Sequence, residues 1–168
     1  MSSLSSDIDK TVRLLLPLLQ QHGCSLAVAE SCTGGLIADL FTDIPGASAV
    51  FTAGIIAYAA EAKVQLLGLD PAQIAVHGVV SDLTARAMAQ QMRLRAGTDY
   101  AIATTGNLGP SSLEGKPCGL VYVAACSAKT LCSRELRCSG NRRANKQESA
   151  LAALTLLKEL LDGELPDA

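Results

Sequence analysis

The stretch Leu26-Ala27-Val28-Ala29-Glu30-Ser31-Cys32-Thr33-Gly34-Gly35-Leu36 decides the fold. Its first four residues form a short apolar run, the pattern of a strand buried on both faces. Hydroxyls and glycines then carry the chain out, and Leu36 to Phe41 read as helix. A strand feeding a helix through a short polar loop is the repeating step of an α/β domain.

The same alternation continues on either side. Upstream, Asp7 to Gln21 predicts a helix capped by Ser6 and stopped by Gly23. Downstream, Asp43-Ile44-Pro45-Gly46 is a breaker. A second strand is expected from about Thr52 to Tyr58, and a helix from near Ala60 to Gly68. Ser81 caps a long helix to Arg95, with Ala85, Met88 and Met92 on its inner face and Gly97 ending it. Tyr100 to Thr104 reads as a third strand. The segment from Gly106 to Lys116, rich in Gly, Pro and Ser, is a loop of the length usually kept for function. Leu120 to Cys126 and Leu131 to Arg137 read as a hairpin. A last helix from Arg142 packs through Leu151, Leu154, Leu157 and Leu161 and closes at Gly163. The expectation is one domain over residues 1–168, with its core from about 8 to 161. Its architecture is a three-layer α/β sandwich, a mixed and mostly parallel sheet with helices on both faces.

Composition narrows the function. A chain of 168 residues buries a core without cross-links. With 49% apolar and 18% charged residues, it is not disordered. A net charge of -2 leaves no electrostatic footprint for nucleic acid, and aromatics at 3% cannot interleave with bases. No run approaches the roughly 18–20 apolar residues of a membrane span. Asp7 and Asp9 precede Lys10, and Leu14-Leu15-Leu16 breaks at Pro17, so no secretory peptide is expected and the cytosol is the expected location. Cys24, Cys32, Cys118, Cys126, Cys132 and Cys138 contain no C-x-x-C pair, and only His22 and His77 could join them. Neither a metal site, nor a cofactor, nor a disulfide framework is expected.

Four constellations could carry chemistry. Tyr58 closes a strand and Lys63 lies in the first turn of the next helix, where the helix dipole and burial would both favour a neutral amine. An exposed lysine on a solvated face is the commoner fate of such a residue. Ser48 follows the Pro45-Gly46 turn between two alanines, so its hydroxyl is accessible; it is either a nucleophile or a helix cap. A serine needs a base, and neither His22, at a helix end, nor His77, in a turn, is placed for a triad, which leaves a serine–lysine pair. The Glu30–Gly35 loop could present N–H groups to an anion, although Ser31 or Thr33 could instead cap the helix. Cys32 is the candidate if the nucleophile were a thiol. Finally, Thr104 to Pro110 leads a strand into the long loop, and Arg142, Arg143 and Lys146 cluster at the start of the last helix, where they suit a phosphate or a solvated basic turn.

In order along the chain stand Ala29-Glu30-Ser31-Cys32-Thr33-Gly34-Gly35, Pro45-Gly46-Ala47-Ser48, Tyr58 with Glu61-Ala62-Lys63, and Leu67-Gly68. His77-Gly78-Val79-Val80-Ser81, Thr105-Gly106 with Gly109-Pro110, and Lys116-Pro117 with Gly119 follow. This series resembles the carboxy-terminal domain family of CinA, the nicotinamide-nucleotide amidases, over about Ile8 to Leu161. The resemblance implies hydrolysis of nicotinamide mononucleotide to nicotinate mononucleotide and ammonia, in the pyridine nucleotide cycle. It places the catalytic serine on Ser48, the lysine on Lys63 and the tyrosine on Tyr58. It places substrate contacts on Ser31, Thr33, Gly34, Thr105, Gly106, Arg142 and Lys146. It also implies a small nucleotide as the partner and a homo-oligomer, a dimer being favoured. Larger members carry a further amino-terminal domain similar to molybdopterin-binding proteins, whose activity is not expected here.

The chain departs from the family at Ala59-Ala60, where Ser-Asn is usual. It departs again at Asn107-Leu108 and at Ser111-Ser112-Leu113-Glu114, where glycines are usual, and at Lys146, often an arginine. A lysine lacks the bidentate grip of a guanidinium on phosphate. The alternative is therefore a silent or substrate-shifted paralogue that binds a nucleotide through the altered 106–116 loop.

Overall fold

The computed structural model describes residues 3–165. Five strands form one sheet, in the order β2 (Phe51–Ile56), β1 (Leu26–Glu30), β3 (Tyr100–Gly106), β4 (Leu120–Cys126) and β5 (Leu131–Arg137). β1 pairs in parallel with β2 and with β3, β4 is antiparallel to β3, and β5 is antiparallel to β4. Four strands thus point one way and β4 alone opposes them. The sheet is mixed and mostly parallel, as the sequence predicts.

Alternation along each strand builds two unequal cores. On one face Leu26, Val28, Ile102, Val121 and Val123 meet α1 (Ser3–Gln21), α2 (Leu36–Thr42) and α6 (Arg142–Glu164). The other face is mostly alanine: Ala27, Ala29, Ala101, Ala103 and Ala124. Small side chains there let α5 (Asp82–Ala96) settle close to the sheet, and Met88 and Met92 fill what space remains. α3 (Ala60–Leu67) and α4 (Pro71–His77) pack against α5.

Several boundaries differ from the expectation, each for a local reason. α1 begins at Ser3, so Ser6 lies inside it rather than capping it, and the helix runs on through Pro17. Gly163 is also interior, because α6 continues to Glu164. α4 was not foreseen: Asp70 caps it through the Ala72 N–H, Pro71 opens it, and none of its residues is buried, so it lacks the apolar period that marks a helix in sequence. The caps of α5 are those expected, with Ser81 accepting the Thr84 N–H and Gly97 left-handed.

Among the described residues no helix is long and apolar enough to cross a membrane.

Candidate active site

The carboxyl ends of β1, β2 and β3 lie side by side, and chains leave them for opposite faces of the sheet: β1 into α2, β2 into α3. Such a switch point opens a crevice at the strand ends. Here it forms a cavity of about 240 Å³, with Ser31, Tyr58, Val80, Thr105, Gly106 and Arg142 in its wall.

Lys63 lies behind that wall, in contact with Ser31. It is 1% exposed, a buried amine on the first turns of α3. Its Nζ donates to Ser31 Oγ at 2.9 Å, to Ala57 O at 2.8 Å and, more weakly, to Tyr58 O at 3.4 Å. Burial pulls its pKa down to about 8, against weaker opposing pulls from Cys32 and Glu114. The geometry fixes what loss of one proton does. Carbonyl oxygens only accept, so the two remaining N–H bonds stay on Ala57 and Tyr58. The freed lone pair then faces Ser31 Oγ. The two carbonyls aim a base at a hydroxyl.

Ser48 is not that hydroxyl. It lies in a single 3-10 turn, Ala47–Ala49, that enters the amino end of β2, whereas Lys63 follows the carboxyl end of the same strand. Six residues of strand, roughly 20 Å, separate the two ends. Ser48 is exposed in a different hollow, beside Ile44, Pro45 and Phe51. Gly46, with a φ of 88°, caps the turn in its place. The pairing of Ser48 with Lys63 expected from the sequence is replaced by Ser31 with Lys63.

Tyr58 does reach the cavity, but its hydroxyl accepts from Arg142 Nη2 at 2.7 Å; its link to Lys63 is the backbone carbonyl. The same guanidinium donates through Nη1 to Gly109 O at 2.6 Å, so Arg142 bridges the two rims of the pocket.

Much of the anion cradle anticipated in the Glu30–Gly35 loop is already occupied. The Ser31 N–H is taken by Thr104 O. Glu30, 1% exposed, accepts from Gly35, Ile37 and Ala38 at 2.9–3.1 Å and so fills the start of α2 with its own carboxylate. The Gly34 N–H goes to Ser31 O, and Gly34 and Gly35 both have left-handed φ, which turns the loop sharply after Ser31. Thr33 is 0% exposed and shares a 2.7 Å hydrogen bond with Thr104, so its hydroxyl is turned into the protein. Glu30→Ala strands three amides, that of Ile37 buried and those of Gly35 and Ala38 partly buried. It is expected to destabilise the chain by about 2–3 kcal/mol, measured by urea unfolding.

Cys32 borders the cavity, yet burial pushes its thiol up to about 12. A thiol that does not ionise is no nucleophile. Iodoacetamide at pH 8 is expected to label exposed Cys118 and to spare Cys32, read by peptide mass spectrometry.

The far wall is built by β3 and the loop after it. Thr105 donates to Val79 O at 2.6 Å, which ties the strand end to the segment before α5. Gly106 lies so close to Val121 and Leu120 O that a side chain would collide with β4. Asn107, 6% exposed, entered the sequence reading only as a departure from the family pattern. Its amide donates to Ser111 O and accepts from the Gly109 N–H, which folds the loop onto itself. Lys146 and Gly34 lie against one another outside the cavity wall: the amine approaches within 3.6 Å of where a Gly34 side chain would begin.

Comparison with known proteins agrees with this architecture. The family model described as the CinA C-terminal domain matches residues 8–161. A CinA-like protein of Desulfovibrio desulfuricans is 47% identical over 149 residues, covering 86% of this chain and 35% of its own length. A CinA-like protein of Frankia casuarinae is 42% identical over 160 residues, covering 95% of this chain and 37% of its own. This chain therefore spans little over a third of those relatives. A solved structure, the competence/damage inducible protein CihA of Agrobacterium tumefaciens, superposes with a TM-score of 0.90 at 34% identity, covering 95% of this chain and 99% of that one.

Proposed function

The chain belongs to the family of CinA C-terminal domains, and from that premise we propose that it is an amidohydrolase using Ser31 as nucleophile and Lys63 as general base. The observation that carries the proposal is the buried amine 2.9 Å from Ser31 Oγ with its lone pair steered by two carbonyls.

The reaction runs as follows. Neutral Lys63 takes the Ser31 hydroxyl proton while Oγ bonds to the amide carbon, whose C=O pair moves onto oxygen. Collapse of that adduct breaks the C–N bond. Lys63 passes its proton to the departing nitrogen, which leaves as ammonia. Water then attacks the Ser31 ester, with Lys63 again holding the proton before returning it to Oγ. One amide and one water give one acid and one ammonia. The Tyr58 hydroxyl, held by Arg142, stands at the rim to position substrate rather than to orient the lysine.

The substrate of this proposal is nicotinamide mononucleotide. The cavity, smaller than the roughly 300–1,000 Å³ of drug-sized ligand sites, takes a carboxamide ring with the rest of the ligand at the mouth. There, Arg142 offers cationic charge to a phosphate. A screen of nicotinamide mononucleotide, its riboside and nicotinamide for ammonia release tests this. The mononucleotide is expected to react fastest. Binding of the mononucleotide without turnover would favour the silent paralogue instead.

A further inference from the structure

One wall of the pocket is closed by a device that the Ser31–Lys63 pair does not explain. The loop after β3 ends in a two-residue hairpin in which Leu113 and Lys116 exchange both backbone hydrogen bonds, at 3.2 and 2.9 Å. Its tip residues, Glu114 and Gly115, have φ of 54° and 70°, the left-handed pair that a tight hairpin demands. Glycine adopts such a φ freely, whereas a glutamate resists it. Glu114 is the one non-glycine residue with positive φ among the described residues. Something must hold it there.

Its carboxylate accepts from the Val79 N–H at 3.0 Å and, more weakly, from the Val80 N–H at 3.5 Å. Lys116, two residues on, donates to His77 O at 2.7 Å and to Val80 O at 2.5 Å. Both charges thus grip one four-residue segment, and they pass so close over Gly78 that any side chain there would collide with them. Val79, Val80 and Leu113 all line the cavity. The hairpin therefore sets where that wall stands.

The Lys116 amine also lies 3.6 Å from the Glu114 carboxylate, so the two charges pair with each other as well as with the segment they hold.

We propose that Glu114 is a positioning residue for the amide hydrolysis, its carboxylate fixing the Val79–Val80 wall against substrate. The proposal rests on the Ser31–Lys63 reading above.

The test uses Glu114→Gln and Glu114→Asp in the full chain, with KM and kcat for ammonia release from nicotinamide mononucleotide measured separately and folding followed by urea unfolding. Glutamine keeps the length but has a single acceptor oxygen, and aspartate keeps the charge but is too short to reach both amides. Each variant is expected to raise KM several-fold with kcat near wild type. An active wild type whose KM is unmoved by both substitutions, or variants that lose kcat with KM unchanged, would overturn this proposal alone. A wild type that releases no ammonia from any of the screened amides would overturn the amidase reading, and this one with it.

Discussion

Ser31→Ala is expected to abolish ammonia release, lowering kcat/KM by on the order of 10⁴–10⁶-fold, while Ser48→Ala leaves turnover near wild type. The magnitude is that of removing a covalent nucleophile from a hydrolase that keeps its binding site. The contrast between the two serines follows from position. Ser31 Oγ is 2.9 Å from the Lys63 amine in the cavity wall, and Ser48 is exposed at the opposite end of β2. Both substitutions are conservative in volume. Ser31 lies in a loop whose shape is set by Glu30 and the two glycines rather than by its hydroxyl, so the variant is expected to fold. Steady-state ammonia assays on the two variants decide between the serines.

Lys63→Gln is expected to cost as much as Ser31→Ala, and the double variant no more than either. Two groups that act as one unit lose their joint contribution when one is removed, so the losses do not add. The pH dependence has a definite sign. The active form of Lys63 is the neutral amine, and its pKa is lowered to about 8. Activity therefore falls as pH drops through about 8. At pH 7 only about one-tenth of the enzyme carries the base in working form, since one pH unit is a factor of ten. The kcat/KM profile is expected to show this acid limb and no requirement for an imidazole. A limb near pH 6.5, the ordinary histidine range, would point to another base.

Much of this was legible in the sequence. The alternation of buried runs with capped helices gave the layers, and β1, β3, β4, β5 and α5 lie close to where their patterns put them. Lys63 stood out because a lysine in a helix's first turn opposes the dipole. The pairing of Ser48 with Lys63 overlooked a signal already present: the strand expected between them sets the two residues at its opposite ends. Ser31 carried a usable signal. A serine directly after a buried strand, before paired glycines and a helix, is the layout of a strained strand-to-helix turn that exposes a nucleophile.

Glu30 was hidden for a different reason. A carboxylate at the end of an apolar strand reads as a solvated terminus, and only the return of α2 over it shows three amides converging on its oxygens. The hairpin at Glu114 left no clear signal either. Its turn needs positive φ at two positions, and Glu-Gly advertises only one. Long-range contacts between residues 77–80 and 113–116 depend on where β3 and α5 place their ends, and no local propensity encodes that.

The most direct test of the account is where a covalent adduct forms. The chain is treated with a fluorophosphonate or a slowly hydrolysed ester of the substrate acid and digested with trypsin. No lysine or arginine lies between Arg13 and Lys63, so both serines fall in one peptide, and fragment ions must locate the added mass. The adduct is predicted on Ser31, and its formation should disappear in Lys63→Gln. Modification of Ser48 with Ser31 untouched, in a chain that still releases ammonia, would contradict it.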